Sequence, residues 1–435
     1  MITSSKWKRN VALFMTGQGL SLFGSSLVYF AVMWHITLRT QSGLMMMFIM
    51  IAGLLPMFLI SPFAGVWADR YNKKHLVNIS DGFTAIVTLG MAIIFAFGYD
   101  FIVLLLVCLA ARAVAQGVQM PAFNALIPEL VPEEQLTRVN GINSSIQTML
   151  TFAAPALSGV LLAIAPIYAL MLIDVVTAVI GIGILMFFVK IPAPAADKEH
   201  KSGTKLYLTE IGEGLKYIGN HSFLKKALVI GALTNFMIAT TAMTPLLVAR
   251  KWGDDIWSLI AGLSIGAEHR LAIIEIGYTG GLALGGLAIG VWGGFKNKNH
   301  TFALFTLLAG ISLVGLGVFS NFWLFTLFMG LGGVFINIRG AAVMSMLQSN
   351  IDRVFMGRSM SVLLMMATLT AQLGIILWGP LGDFVAIEWL LIGAGAFILL
   401  MGFVFFFDKT LLEAGLHSQS PAADSETDDG LWGDS

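Results

Sequence analysis

Apolar residues run along this chain in blocks of about twenty, separated by short polar or Gly/Pro joints. The blocks fall at 11–36, 43–67, 76–98, 101–122, 141–165, 167–191, 224–250, 270–293, 301–320, 322–344, 358–380 and 385–407. Each is long enough to cross a hydrocarbon layer as a helix, which needs ~20 mostly apolar residues. Inside hydrocarbon a helix satisfies its own backbone polar groups, whereas an open strand leaves them unpaired. The pattern therefore predicts an all-α membrane protein with twelve transmembrane helices.

The longest polar interval divides the blocks six and six. It opens with Pro192-Ala193-Pro194 and continues through Leu208, Ile211, Leu215 and Ile218, whose 3, 4, 3 spacing suits an amphipathic helix on the membrane surface. The expected domains are an N-terminal six-helix bundle (1–191), a cytoplasmic linker containing that helix (192–223), a C-terminal six-helix bundle (224–407) and an acidic tail (408–435). The tail carries Asp424, Glu426, Asp428, Asp429 and Asp434 among small residues, a composition that favours disorder. The stretch 251–270 reads as an extension of the seventh span, as a segment lying at the outer interface, or as a lid over the external mouth.

The two halves share a motif. Gly65-Val66-Trp67-Ala68-Asp69-Arg70-Tyr71-Asn72-Lys73-Lys74 returns 225 positions later as Gly290-Val291-Trp292-Gly293-Gly294-Phe295-Lys296-Asn297-Lys298-Asn299. Duplicated halves in a membrane protein point to a secondary transporter with its ligand site near the midplane. The second copy keeps the turn and its basic residues but has Gly294 where the first has Asp69.

Composition agrees with the blocks: 57% hydrophobic residues, 11% charged and mean hydropathy +0.84, against roughly 25% charged in soluble domains. Net charge is zero, yet the charges are skewed. With the N-terminus cytoplasmic, 19 of 25 Lys and Arg fall on the cytoplasmic side, four (Arg39, Arg250, Lys251, Arg270) fall outside, and Arg112 and Arg339 lie within spans. That skew places both termini inside and explains the basic loops without nucleic acid. The first block is too long for a signal-peptide core. A lone cysteine, Cys108, allows no intrachain disulfide or thiol pair. Trp7, Trp34, Trp67, Trp252, Trp292, Trp323 and Trp389 lie near span ends and read as interfacial anchors.

Ionisable residues inside spans are costly and mark function. Arg112 falls near the midplane and needs a partner or a wet cavity. Asp81, Asp174 and Glu275 are embedded carboxylates suited either to proton coupling or to structural pairing, with Asp174 first and Glu275 second. Arg339 either snorkels or pairs with a carboxylate. Gly65 is expected to let the second helix approach a neighbour closely, and Asp69 to accept hydrogen bonds from a facing helix N-terminus. No Walker-type phosphate loop, metal cluster or nucleophile–base cluster is present, so ATP-driven pumping and enzymatic activity are disfavoured and no cofactor is expected.

Gly65-x-x-x-Asp69-Arg70-x-Asn72-Lys73-Lys74 fits the loop 2–3 signature G-x-x-x-D-R-x-G-R-K, with Asn72 in place of Gly. With Arg112, the segments 121–128 and 131–138 (which includes Glu133 and Glu134), 285–294, and Gly357-Arg358, it makes the chain resemble the major facilitator superfamily over nearly its whole length. Within that superfamily it resembles the macrolide-efflux, drug:proton antiporter group. The resemblance implies two pseudo-symmetric six-helix bundles. It implies a cytoplasmic gate built from Gly65, Asp69, Arg70 and Lys73 against helix 11 near Gly357 and Arg358. Arg112 would take part in proton coupling. Ala154-Pro155-Ala156-Leu157-Ser158-Gly159 resembles, through Pro155 and Gly159, the G-P-x-x-G-G element of antiporters. Helices 1, 4, 7 and 10 would line the cavity, with Gln18, Arg112, Gln116, Asn235, Met237, Asn337 and Arg339 as substrate contacts.

The function these features imply is a monomeric exporter of a bacterial inner membrane that expels amphipathic, macrolide-like drugs in exchange for protons, and so confers antibiotic resistance. Its partners would be the small-molecule substrate, protons and the lipid bilayer. Export of a self-made metabolite such as a siderophore and proton symport stay open, as does a receptor or assembly factor on a transporter scaffold.

Overall fold

The computed structural model describes residues 4–132, 135–189, 204–252, 257–259, 263–352 and 355–417. Among them twelve helices are long and apolar enough to cross a membrane. The helices are α1 (Ser4–Thr40), α2 (Gly43–Arg70), α3 (Lys73–Ala96), α4 (Ile102–Leu130), α5 (Leu136–Ile164), α6 (Ile167–Gly183), α7 (Thr204–Asn220), α8 (Ser222–Ile238), α9 (Thr244–Trp252), α10 (Ala267–Trp292), α11 (Lys298–Val318), α12 (Phe322–Asn350), α13 (Met356–Phe384), α14 (Ile387–Phe407) and α15 (Lys409–His417). The chain groups into two compact units. One comprises residues 1–207, 242–276 and 375–385, and the other 208–241, 277–374 and 386–435.

Helix starts are set by short polar caps. Ser42 accepts from the Met45 N–H, Asn72 from His75, Asn297 from Asn299, and Asn321 from both Trp323 and Leu324. Each cap satisfies a backbone donor that the first turn leaves unpaired. Asn72 and Asn297 are the shared Asn of the duplicated loops, so capping the following helix is what the two copies have in common. The turns before those caps differ. α2 runs on to Arg70, whereas α10 ends at Trp292 and passes through Gly293 and Gly294 at φ +74° and +83°. The expected shared turn is therefore absent, because the glycine pair admits a left-handed backbone that Ala68 and Asp69 resist.

The seventh span is broken. α8 gives way to a 3₁₀ turn at Ala239–Met243 before α9 resumes. Pro245 cannot donate to the helix ladder, and Thr240 and Thr241 return their hydroxyls to the Met237 and Ile238 carbonyls. After α9, Trp257–Leu259 pairs antiparallel with Leu263–Ile265. The 251–270 stretch thus contains a small hairpin instead of extending the helix; Asp254, Asp255 and Ile256 lie outside the described residues. Arg270 donates to the Trp252 carbonyl at 2.8 Å and ties the base of that connection.

In the first unit, two apolar clusters sit at opposite ends of the bundle α1, α3, α4 and α6. One gathers Phe14, Val77, Phe123, Leu126 and Leu185. The other gathers Val28, Val32, Met91, Leu105 and Met171. Trp34 is fully buried, its ring against Gly159, so it packs α1 on α5 instead of anchoring at an interface. Trp252 is likewise buried, while Trp67, Trp292, Trp323 and Trp389 are exposed as interfacial anchors require.

In the second unit, α7 buries Gly214, Tyr217 and Ile218, while Leu215 of the expected apolar face is exposed. Gly214 lets α7 close on the Arg358 backbone and Val362, which rotates the packed face. Tyr217 donates to Asp352 at 2.9 Å, and Glu213 pairs with Arg358 at 2.7 Å. The first residues of the expected tail form α15, because Leu411 and Ala414 at i, i+3 find a core with Phe302 and Met346. Lys226 holds Asp408 at 2.8 Å. Burial pushes that carboxyl up, but hydrogen bonds from Lys226 and the Leu411 N–H outweigh it and keep it below its ordinary value. Residues 418–435, 190–203, 133 and 134 lie outside the described residues.

Candidate functional site

The polar residues of the first unit form two layers, one heptad apart, between the apolar clusters. Seven residues on a helix return to nearly the same face about 10 Å further along. α1 contributes Gln18 to one layer and Ser25 to the other, α3 contributes Asp81 and Thr88, and α4 contributes Gln119 and Arg112. α6 supplies Asp174. The close fit is set by small residues: a side chain on Gly24 would strike Thr177 and Asp174, and one on Gly181 would strike Gly17.

The first layer is an ion pair. Arg112 Nη1 donates to Asp174 Oδ2 at 2.5 Å and also to Thr88 Oγ1, while Nη2 donates to the Ser25 carbonyl at 3.1 Å. Ser25 Oγ donates to Asp174 Oδ1 at 3.0 Å, and Thr88 Oγ1 to Oδ2 at 3.2 Å. Asp174 is 0% exposed and Arg112 7%. Both were singled out from sequence as coupling candidates; the structure brings them into one contact. A buried pair of this kind survives because each charge is matched and its remaining hydrogen-bond capacity filled.

The second layer holds a carboxylate among neutral donors. Gln18 Nε2 donates to Asp81 Oδ2 at 3.1 Å, Gln119 Nε2 to Oδ1 at 2.6 Å and Ser21 Oγ to Oδ1 at 3.4 Å. Asp81 is 5% exposed and has no ion-pair partner among the described residues. Such a group can take up and release a proton without breaking an ion pair, unlike Asp174. Gln119, Ser25 and Thr88 stand seven residues from Arg112, Gln18 and Asp81, and Ser21 three from Gln18; these spacings are legible in the sequence, although none of the four is among the candidates above.

A third constellation gathers at the start of α2. Asp383, near the end of α13, accepts from the Gly43 N–H at 2.7 Å, the Leu44 N–H at 2.9 Å and Ser42 Oγ at 3.0 Å. Arg250 of α9 pairs with the same carboxylate at 2.6 Å and donates to the Gln41 and Gly382 carbonyls. Gly43 and Gly379 meet so closely that a side chain on either would strike the other's carbonyl. A carboxylate here completes the unpaired N–H groups and faces the positive end of the α2 dipole.

The loop-signature residues are placed differently from expectation. Among the described residues nothing lies within 4 Å of a side chain built on Gly65 or on Gly357; α2 is closely approached at Gly43, at Gly53, and where Gly117 of α4 meets Met57 and Ile60. Arg70 is exposed. Lys73 pairs with Glu129 at 2.6 Å, and Lys74 donates to the Met186 and Val189 carbonyls at 3.0 and 2.8 Å, where helix-end carbonyls lack partners. The side chain of Asp69 is outside the described residues. Pro155 is buried, Ser158 donates to the Leu27 carbonyl at 3.0 Å, and Gly159 meets Trp34, so this element joins α5 to α1.

Of the remaining candidates, Gln116 is exposed, and Met237 and Glu275 are half-buried. Asn235 donates to the Gly231 carbonyl and Asn337 to the Leu282 carbonyl. Arg339 is 9% exposed and lines a cavity of about 140 Å³ in the second unit, together with Asn235 and Phe302.

The Major Facilitator Superfamily profile matches residues 12–267. Macrolide efflux protein A of Streptococcus pyogenes is 25% identical over 404 residues, covering 92% of this chain and 96% of its own. The staphyloferrin A transporter of Staphylococcus aureus is 24% identical over 155 residues, covering 35% of this chain and 38% of its own. In fold, the chain is similar to a crystallised POT peptide transporter in complex with alafosfalin, with TM-score 0.64, 13% identity, and 93% and 95% of the two chains covered. Twelve apolar helices and paired ionisable residues buried within them are what a transporter requires, and an enzyme of soluble type does not have them. The chain is a multi-pass membrane transporter and belongs to the Major Facilitator Superfamily.

Proposed function

We propose that this protein is a secondary exporter of the bacterial cell membrane that expels amphipathic small molecules of the macrolide kind in exchange for protons. The observation that carries the coupling is Asp81: a buried carboxylate solvated by Gln18, Gln119 and Ser21, one heptad from the Arg112–Asp174 pair. In this reading Asp81 is the proton carrier. The ion pair is its electrostatic neighbour and rearranges as the proton comes and goes. The export direction is supported by the near full-length likeness to macrolide efflux protein A.

Alternating access by the six-helix halves, residues 1–191 and 224–407, needs a closure on each side of the membrane. With both termini cytoplasmic, the Asp383–Arg250 cluster at the start of α2 is the outer latch. The loop signature assigns the cytoplasmic one to Asp69. The test is macrolide accumulation in cells expressing the chain, with and without a protonophore. Expression is expected to lower accumulation several-fold and the protonophore to restore it. Efflux that ignores the protonophore would remove antiport from the account. Export of a metabolite is the second reading, favoured by the likeness to the staphyloferrin A transporter.

A further inference from the structure

We infer that Arg339 and the cavity beside it form a subsite for the carboxylate head group of an amphipathic cargo. This deepens the second, metabolite-export reading, since a macrolide carries an amine and no carboxylate, and rests on it for the word cargo; the binding site itself does not. Arg339 lies eleven residues from the Asn350 end of α12, beside Phe302 in the first turns of α11 and across a cavity from Phe223 at the start of α8, and is only 9% exposed. A buried arginine within a membrane helix needs a counter-charge or a wet cavity.

The chain handles its two membrane-embedded arginines in opposite ways. Arg112 has Asp174 at 2.5 Å and a ring of hydroxyl and carbonyl oxygens. Arg339 has no carboxylate partner among the described residues, and its Nε makes no hydrogen bond. Its guanidinium stands 5.9 Å from the Phe302 ring. Among the described residues, then, a permanent cation is buried beside an aromatic face with no anion to match it.

The space in front of that cation has the shape of a ligand site. The cavity of about 140 Å³ is walled by Phe223, Phe302, Met346 and Leu363, with Asn235 as its other polar side chain. A cavity of similar size in another protein accepts benzene. This one takes a single ring or branched chain with its carboxylate, a head group instead of a whole macrolactone. Guanidinium binds carboxylate through two parallel N–H donors, a fork that a lysine lacks. An inorganic anion would meet the charge but leave the apolar walls unused.

The test uses the full-length protein in nanodiscs of zwitterionic lipid, titrated calorimetrically with benzoate, its neutral isostere benzamide and benzylammonium. The expected result is benzoate binding at least tenfold tighter than the amide, and no measurable binding of the ammonium. Arg339→Gln should bring benzoate down to the affinity of the amide and leave the amide unchanged, which also shows that the variant is folded. Arg339→Lys keeps the charge but not the fork and should retain part of the preference; it carries the test if the glutamine variant does not fold. Equal affinity of benzoate and amide in the wild type, or a preference that survives Arg339→Gln, overturns the inference. Macrolide efflux that persists alongside such a result leaves the exporter reading standing. A carboxylate preference without any efflux does the reverse.

Discussion

Arg112 and Asp174 show how much of a buried charge's meaning lies in its partner. Removing either one strands the other in a low-dielectric interior, at a cost of about 3–5 kcal/mol. Replacing both with apolar residues removes two desolvation costs together. Arg112→Leu and Asp174→Leu should therefore each lower the melting temperature of the purified protein, and the double variant should recover at least half of that loss. Strictly additive losses would mean that the two residues act independently. At this scale the sequence named the residue types well: Arg112, Asp81, Asp174 and Arg339 were all conspicuous as ionisable groups in apolar blocks. What it lacked was pairing. Nothing in a linear pattern says that position 112 meets 174, or that 339 meets no carboxylate among the described residues, because these contacts depend on how helices rotate about their axes. The i, i+7 series on α1, α3 and α4 is a signal the sequence holds but the candidate residues leave unused: it places Gln18 with Ser25, Asp81 with Thr88 and Arg112 with Gln119 on shared faces.

Helix ends, more than helix middles, separate expectation from structure. Among the described residues Gly65 meets nothing within 4 Å, while α2 has tight contacts at Gly43, where it meets Gly379, and at Met57 and Ile60, where it meets Gly117. The latch expected from the loop signature places a carboxylate against a helix N-terminus; the structure builds that same device from Asp383, the α2 start and Arg250. It was illegible because Asp383 falls beyond the apolar block at 358–380, and Arg250 counted only as an external charge. Losing a side-chain cap costs about 1 kcal/mol, a factor of about five in a two-state equilibrium. Asp383→Asn should accordingly open the start of α2. Maleimide labelling of M46C, at a position now 3% exposed, should speed up several-fold in that background. An unchanged labelling rate would show that Asp383 holds nothing shut. The broken seventh span and α15 follow the same lesson, since Pro245 and the Leu411–Ala414 pair act on segments too short for a hydropathy window to resolve.

For the whole molecule, block length and polarity were enough to read the twelve spans, because hydrocarbon admits so few backbone solutions. The duplicated loops pointed to a transporter for a related reason: two halves that repeat serve a site between them. Cargo is least legible, since it depends on a handful of cavity side chains whose directions no periodicity reveals. The most direct test of proton-coupled export is simultaneous measurement of drug and proton movement in proteoliposomes. Liposomes loaded with a macrolide and a lumenal pH dye, corrected against protein-free liposomes, should acidify as the drug leaves through the wild-type protein. Asp81→Asn should abolish the acidification. Drug release through the wild type with no change in lumenal pH, or full acidification with Asp81→Asn, would contradict the account.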